Sequence, residues 1–437
     1  MNKSDFAVFT VCNIAYLPKA LVLADTLYEH HNKMLNVVLF DRKQTLPLPA
    51  DTINILWVED LGLHEWRQLA FMYDIIEFST SLKPYIALRL MEENDKVIFL
   101  DPDTAIYSSL DPILRDLDGA SVVLTPHYIK PQPRTSYESD LPMMRFGSFN
   151  LGFFAIKRGA QAAEFLNWWS QRCIDFSFME TQFGLSTDQK WVSIAPCFFD
   201  FLKISFNPGY NAAAWNTFER KVTKQQSNEF WMNDEYRLVF FHFSNFNHQD
   251  PQYLLKRGSS EIGNNYACLE ELGRDYSRRL IEYETRVGDV PYAFDYMSDG
   301  TYISPTLRRA YASIRDKLPL NRDPFDSNGV VGLFARENKL VTRTTGDKYK
   351  YPSLKQAQSN TTGFALIYFA MRAFLRIAGP YRFYDLSKLM VYLSLFRMDH
   401  KYWRLPQGGT NGQHDNGHGG SSKIESQSQL ASTGGKR

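Results

Sequence analysis

Two carboxylates one residue apart, Asp101 and Asp103, end the apolar run Val97-Ile98-Phe99-Leu100. The run reads as a strand covered on both faces, and ligands in open α/β sheets collect outside the carboxyl ends of such strands. In extended chain residues i and i+2 point the same way, so both carboxylates can meet one cation. Pro102 between them fixes its own φ and removes a donor, which stiffens the pair. Hard divalent ions such as Mg²⁺ and Mn²⁺ take oxygen ligands and bridge one or two carboxylates to phosphates, so the spacing points to a metal-diphosphate site. A solvated turn is the competing reading, because Asp and Pro are common turn formers.

Other chemistry-bearing residues recur along the chain. Residues 81 to 92 carry apolar side chains at helical spacing; the helix is expected to start near Ser81 or Leu82, with Lys83 at its opening and within reach of a phosphate. Residues 146 to 152 combine Asn150 with Gly147 and Gly152, which permit close backbone approach to a ligand or simply form a turn. Asp188 and Gln189 precede Trp191, setting a carboxylate and an amide beside a ring that can cover a sugar face. Equally, Thr187 or Asp188 can cap a helix. His242 ends the apolar run Leu238 to Phe241, either as a polar group at a strand's carboxyl end or as a satisfied core histidine.

Taken in order and spacing, six segments resemble the donor site of GT-A fold glycosyltransferases. They are Ser81 to Tyr85, Asp95 to Asp103, Phe149 to Phe153, Thr187 to Trp191, Asn207 to Asn211 and Phe241 to Ser244. The chain is similar to glycosyltransferase family 8 relatives, and more so to bacterial enzymes of cell-surface polysaccharide synthesis, over roughly residues 5 to 325. Short patterns recur by chance; the set does not. The resemblance implies a nucleotide diphosphate sugar donor, a glycan or lipid-linked acceptor, and Mn²⁺ or Mg²⁺ held by Asp101, Asp103 and His242. It implies donor binding by Thr10, Asn13, Tyr16, Lys83, Asp101, Asn150 and Gly152. Asp188 and Gln189 become the catalytic candidates, with Asp188 orienting the acceptor hydroxyl, acting as base or supporting the positive sugar. The chain departs from the pattern after His242, where Phe243, Ser244 and Asn245 replace the Gly and Lys that usually bind diphosphate. That departure raises the importance of Lys83.

Two other classes compete. A haloacid-dehalogenase-type phosphatase would use Asp101 as nucleophile and Asp103 as general acid. It would also need a further carboxylate pair after a buried strand, and the nearest, Asp289 and Asp295, follows the polar stretch Glu282 to Arg286. The other is a non-catalytic module that binds a sugar nucleotide or glycan.

These residues must be positioned by strands and helices in alternation, the pattern of an α/β fold. Strands are expected at 6–12, 36–40, 53–58, 96–100, 120–124, 151–156 and 237–243, and helices at 18–31, 63–76, 81–92 and 159–174. Pro18 suits a first helical position after the loop carrying Asn13 and Tyr16. The expected architecture is a Rossmann-like GT-A mixed sheet with helices on both faces over residues 1–325, a basic helical appendage at 326–404 and a disordered tail at 405–437. Of the appendage, residues 336–404 carry 13 Lys and Arg against 4 Asp and Glu, a net of +9 in a chain whose net charge is +1. Its apolar runs fall short of the roughly 18 residues of a spanning helix. They are expected to lie on an anionic membrane surface, or to pack on the catalytic domain or another copy of the chain. No basic stripe with interleaved aromatics suggests nucleic acid. Four cysteines without CxxC spacing, and a start that reads as a strand rather than a secretory leader, suit a cytoplasmic chain.

Overall fold

Apolar side chains of successive strand residues point to opposite faces, and here both faces are covered. In β1 (Ser4–Cys12), Phe9 and Val11 face one core while Val8 and Cys12 face the other. The structure, a computed structural model, describes residues 4–46, 48, 51–132, 140–225, 229–250, 254, 266–318, 322–341, 361–395, 397 and 400–405. The tail expected from 405 onward therefore lies outside the described residues apart from Leu405.

The other strands of the two sheets that frame the site are β2 (Leu35–Leu39), β3 (Ile53–Trp57), β4 (Asn94–Leu100), β5 (Thr104–Ile106), β6 (Val122–Pro126), β7 (Phe149–Lys157), β8 (Leu202–Ile204), β9 (Ala212–Ala213) and β10 (Phe240–His242). Seven of them form one mixed sheet in the order β8-β6-β7-β4-β1-β2-β3. β7 runs antiparallel to both its neighbours, and the other pairings are parallel. A second small sheet, β9-β10-β5, grows from the end of β4. Helix α1 (Leu17–His31) covers one face of the large sheet; α2 (Trp66–Met72), α3 (Ile75–Met91) and α4 (Ala160–Phe176) pack on the other. α5 (Tyr266–Val287) joins the α1 side, while α6 (Pro305–Ile314) and α7 (Val330–Glu337) join the α2 side. The expected mixed α/β architecture with helices on both faces is therefore present, and its core continues past residue 325 through Val331, Phe334 and Ala335.

Three expected elements differ from expectation, and β5, β8 and β9 are not among those expected at all. The helix expected at 81–92 starts at Ile75, and that expected at 63–76 is the shorter α2, ending at Met72. Asp74 explains both: its carboxylate accepts from the Ile76 and Glu77 amides, each at 2.9 Å, and its own amide donates to the Glu77 carboxylate at 3.1 Å. This reciprocal cap stops one helix and starts the next. Lys83 is thereby moved from a helix opening to its third turn. The strand expected at 237–243 breaks because Val239 and Phe240 turn their amides toward the Gly209 carbonyl. A Cβ at Gly209 would lie 2.1 Å from the Arg237 carbonyl oxygen, so the approach needs glycine.

The α2–α3 break is held from outside by Arg308 of α6. Its buried guanidinium donates to the carbonyls of Ala70, Phe71, Tyr73 and Phe294 at 2.7–3.0 Å, and to Asp295 at 3.0 Å. Carbonyls at a helix end have no partner inside the helix, and here one side chain supplies it. Truncation would take the guanidinium from four carbonyls and from the Asp295 carboxylate, so Arg308→Ala should destabilise the fold by about 3 kcal/mol or more, read by denaturant unfolding.

Candidate functional site

The chain leaves β4 at Leu100 and reverses at once. Thr104 donates through its amide (3.1 Å) and hydroxyl (2.8 Å) to the Asp101 carbonyl, closing a turn over Pro102 and Asp103. Asp101 and Asp103 are thus brought together by a turn at the strand end, rather than by extended chain as the spacing suggested. β5 then pairs antiparallel with β10, setting Thr104 opposite His242, and the Phe243 amide donates to the Asp103 carbonyl at 2.7 Å. His242 Nε2 lies 3.1 Å from Asp103 Oδ1 and 3.7 Å from Asp101 Oδ2. One ligand atom from each of the three falls within 4.8 Å of the others.

The imidazole is oriented from behind. His242 Nδ1 lies 3.2 Å from Asn211 Oδ1, whose amide nitrogen donates to Asn150 Oδ1 at 3.0 Å and faces Thr125 Oγ1 at 3.2 Å. With the amide nitrogen so engaged, Asn211 Oδ1 accepts from Nδ1–H and leaves Nε2 toward the carboxylates, the arrangement of a metal-ligating histidine. Asn150 Oδ1 also accepts from the Gly152 amide at 3.0 Å. A Cβ on Gly152 would lie 2.5 Å from His242 Cε1, so the ring occupies the space that glycine leaves. Two carboxylates and a neutral imidazole form a donor set that fits a divalent cation, Mn²⁺ better than Mg²⁺.

Behind this triangle lies a buried ion triad. Lys83 Nζ is 3.3 Å from Asp101 Oδ1 and 3.3 Å from Asp188 Oδ2, donates to the Leu151 carbonyl at 2.9 Å, and sits 4.6 Å over the Phe99 ring. Burial alone would lower the lysine pKa, but Asp101 and Asp188 outweigh it and hold the ammonium above its ordinary value. Burial pushes the Asp188 carboxyl up, and Lys83 pulls it back only in part. Asp188 is 0% exposed, and its other oxygen accepts from Thr187 at 3.0 Å. It heads the short helix Gln189–Val192 without capping it by its side chain. Gln189 Oε1 accepts from the Leu151 amide at 3.1 Å, so what Gln189 offers a ligand is its NH₂ group.

Asn13, Tyr16, Lys83, Asp101, Asp103, Asn150, Gly152, Asp188, Gln189 and His242 line one cavity of about 430 Å³. Thr10 does not line it, being fully buried in β1. Sequence reasoning missed Ile75, Ile76, Ser79 and Thr80, which line the same cavity from α3. The pattern Asp74-Ile75-Ile76-Glu77 was the available signal. Asn211 ends the segment Asn207–Asn211, and nothing in the local spacing points it at His242. Asp295, which a phosphatase would need beside Asp101, instead pairs with Arg308.

No family model matches the chain. It is 27% identical over 252 residues to the uncharacterized protein YfnD of Bacillus subtilis (strain 168), covering 56% of this chain and 78% of YfnD. It is 23% identical over 202 residues to the uncharacterized protein YfnF of the same strain, covering 46% and 66%. The chain is also similar to glycosyltransferases of solved structure. The galactosyltransferase LgtC, solved with donor and acceptor sugar analogues, shares 14% identity at a TM-score of 0.37, covering 65% of this chain and 97% of LgtC. The bifunctional glycosyltransferase WbbM, in its apo form, shares 11% at 0.37, covering 65% and 52%. The glycosyltransferase GlyE of Streptococcus pneumoniae TIGR4 shares 16% at 0.37, covering 68% and 67%. Identities and TM-scores this low leave the chemistry to be read from the residues themselves.

Without a cation, burial would lower the His242 pKa, but Asp103 and Asp101 raise it above the model-compound value of 6.5. The stability from this pairing is complete below 6.5 and is lost as pH rises through the raised value. A cation needs Nε2 unprotonated, so Mn²⁺ affinity should rise with pH until the raised His242 pKa, above 6.5, is passed and then level off, as calorimetric titration would report. Gly152→Ala should displace the ring and weaken Mn²⁺ binding by roughly 10- to 100-fold. Wild-type affinity in this variant would show that His242 is not a ligand.

Proposed function

We propose that this chain is a metal-dependent glycosyltransferase of the GT-A type, moving a sugar from a nucleotide diphosphate sugar to a glycan or lipid-linked acceptor in cell-surface polysaccharide synthesis, on the cytoplasmic side. The observation that carries the reading is the convergence of Asp101, Asp103 and His242 on one wall of a cavity whose inner wall holds the Lys83–Asp188 pair. A volume of about 430 Å³ suits a small ligand, within the roughly 300–1,000 Å³ of such sites.

Each residue then has a stated task. Asp101, Asp103 and His242 Nε2 hold the cation, which when bound stabilises the charge growing on a diphosphate leaving group. Asn211 sets the tautomer and plane of His242. Lys83 compensates Asp101 and Asp188 at once and adds positive potential beside the diphosphate. Tyr16 and Asn13 border the nucleoside end, while Asn150 and Gly152 bring amide and backbone close to the sugar. Breaking the anomeric C–O bond leaves an oxocarbenium-like centre. Asp188 supports that positive charge, and Gln189 directs its NH₂ group to sugar or acceptor hydroxyls.

A binding module is the second reading, favoured by the closure of Asp188 between Thr187 and Lys83, which leaves no exposed carboxylate there to serve as base. Incubation with Mn²⁺ and a panel of nucleotide sugars separates the two by nucleoside diphosphate release. Metal-dependent release from one donor is expected, falling by about 100-fold or more in Asp101→Ala, Asp103→Ala. Asp188→Asn should keep donor affinity and lose turnover. Donor binding without turnover on every donor and a broad glycan panel would leave the module.

A further inference from the structure

One long helical stretch is not used by the site. α8 (Thr361–Leu393) consists of two helical segments broken at Gly379, whose φ of 79° suits glycine, with Pro380 opening the second segment. Its large apolar side chains are turned outward: Ile377 is 86% and Tyr381 85% exposed, and Leu366, Phe369, Met390 and Tyr392 are exposed too. Water-soluble monomers rarely leave a contiguous apolar patch above roughly a few hundred Å² uncovered. Among the described residues no helix is long and apolar enough to cross a membrane. Exposed Arg372, Arg376, Arg382 and Lys388 are interleaved with these apolar residues, against the single acid Asp385.

We propose that α8 lies on an anionic bilayer surface, its apolar side chains at the acyl boundary and its four cations at the headgroups. Charge selects this occupant. Were a second copy to cover the patch symmetrically, the patch would meet itself and set four cations against four, with one acid on each side. An anionic lipid surface supplies the missing negative charge, and long basic side chains reach it while their stems stay apolar. The chain then returns to the body beside the site. Arg397 donates to the Glu180 carboxylate at 2.6 Å, the same group that Arg309 holds at 2.9 Å. Met179, next to Glu180, lines the cavity, so the lipid contact is tethered at the cavity rim. The inference stands apart from the transferase reading, since it uses none of the residues given a catalytic or donor-binding role.

Flotation of the full-length chain with vesicles tests it. The protein should float with phosphatidylcholine vesicles containing phosphatidylglycerol and far less with phosphatidylcholine alone, and added salt should lower the recovery. Arg372→Glu with Arg376→Glu should reduce flotation several-fold, as should Ile377→Asp with Leu389→Asp. All four positions are exposed, so unchanged thermal unfolding separates lost binding from lost folding. The proposal is overturned if wild-type protein stays at the bottom with anionic vesicles. It is equally overturned if light scattering shows a dimer that the Ile377→Asp, Leu389→Asp variant dissolves and neither protein floats.

Discussion

The site depends on one buried cation. An ammonium taken out of water costs several kcal/mol unless carboxylates and a carbonyl replace the lost solvent. Lys83 meets that requirement with Asp101 from the end of β4, Asp188 from the head of the short helix after residue 188, and the Leu151 carbonyl of β7. Three segments far apart in sequence are therefore tied to one atom. The tie also bears on the complete burial of Asp188, whose two oxygens stand against the Lys83 ammonium and the Thr187 hydroxyl. α3 must deliver the lysine at the right depth, so the cap at Asp74 and the Arg308 clamp behind it belong to the same support.

A second constraint acts on the outer side of Asp101. The turn after β4 starts β5, and β5 pairs with β10, so the register of a three-stranded sheet sets the distance between two aspartates and a histidine. The side chain of Asn211 and the missing side chain of Gly152 then decide the plane of the ring. Asp101 faces both systems, with one oxygen toward Lys83 and the other toward His242. It is the residue through which the buried triad and the cation-binding triangle are coupled.

Much of this was legible as pattern. The apolar run of β4 ending in two acids is visible because a strand buried on both faces must be apolar throughout and must stop where carboxylates begin. The alternation of strands and helices is visible for the same reason, and the expected strands other than 237–243 fall within two residues of observed ones, while short strands such as β5, β8 and β9 left no pattern long enough to read. The start of α3 was misplaced because apolar spacing continues through the break at Tyr73 and Asp74, while the stop is made by a side-chain cap and by Arg308, more than two hundred residues away. The split before β10 was hidden because the Leu238–Phe241 run is uniformly apolar and only the approach of Gly209 turns it.

By itself the sequence determined which residue types were available and on which element ends they stood, because burial writes its periodicity into every strand and helix. It also determined that the basic charge would gather in one segment. Tertiary structure decided which charges met. That Lys83 faces two aspartates, that His242 turns Nε2 toward Asp101 and Asp103, and that Asn211 stands behind it, all follow from strand order, register and steric room at glycine. Those are relations between distant segments, and no local spacing encodes a distance across a sheet.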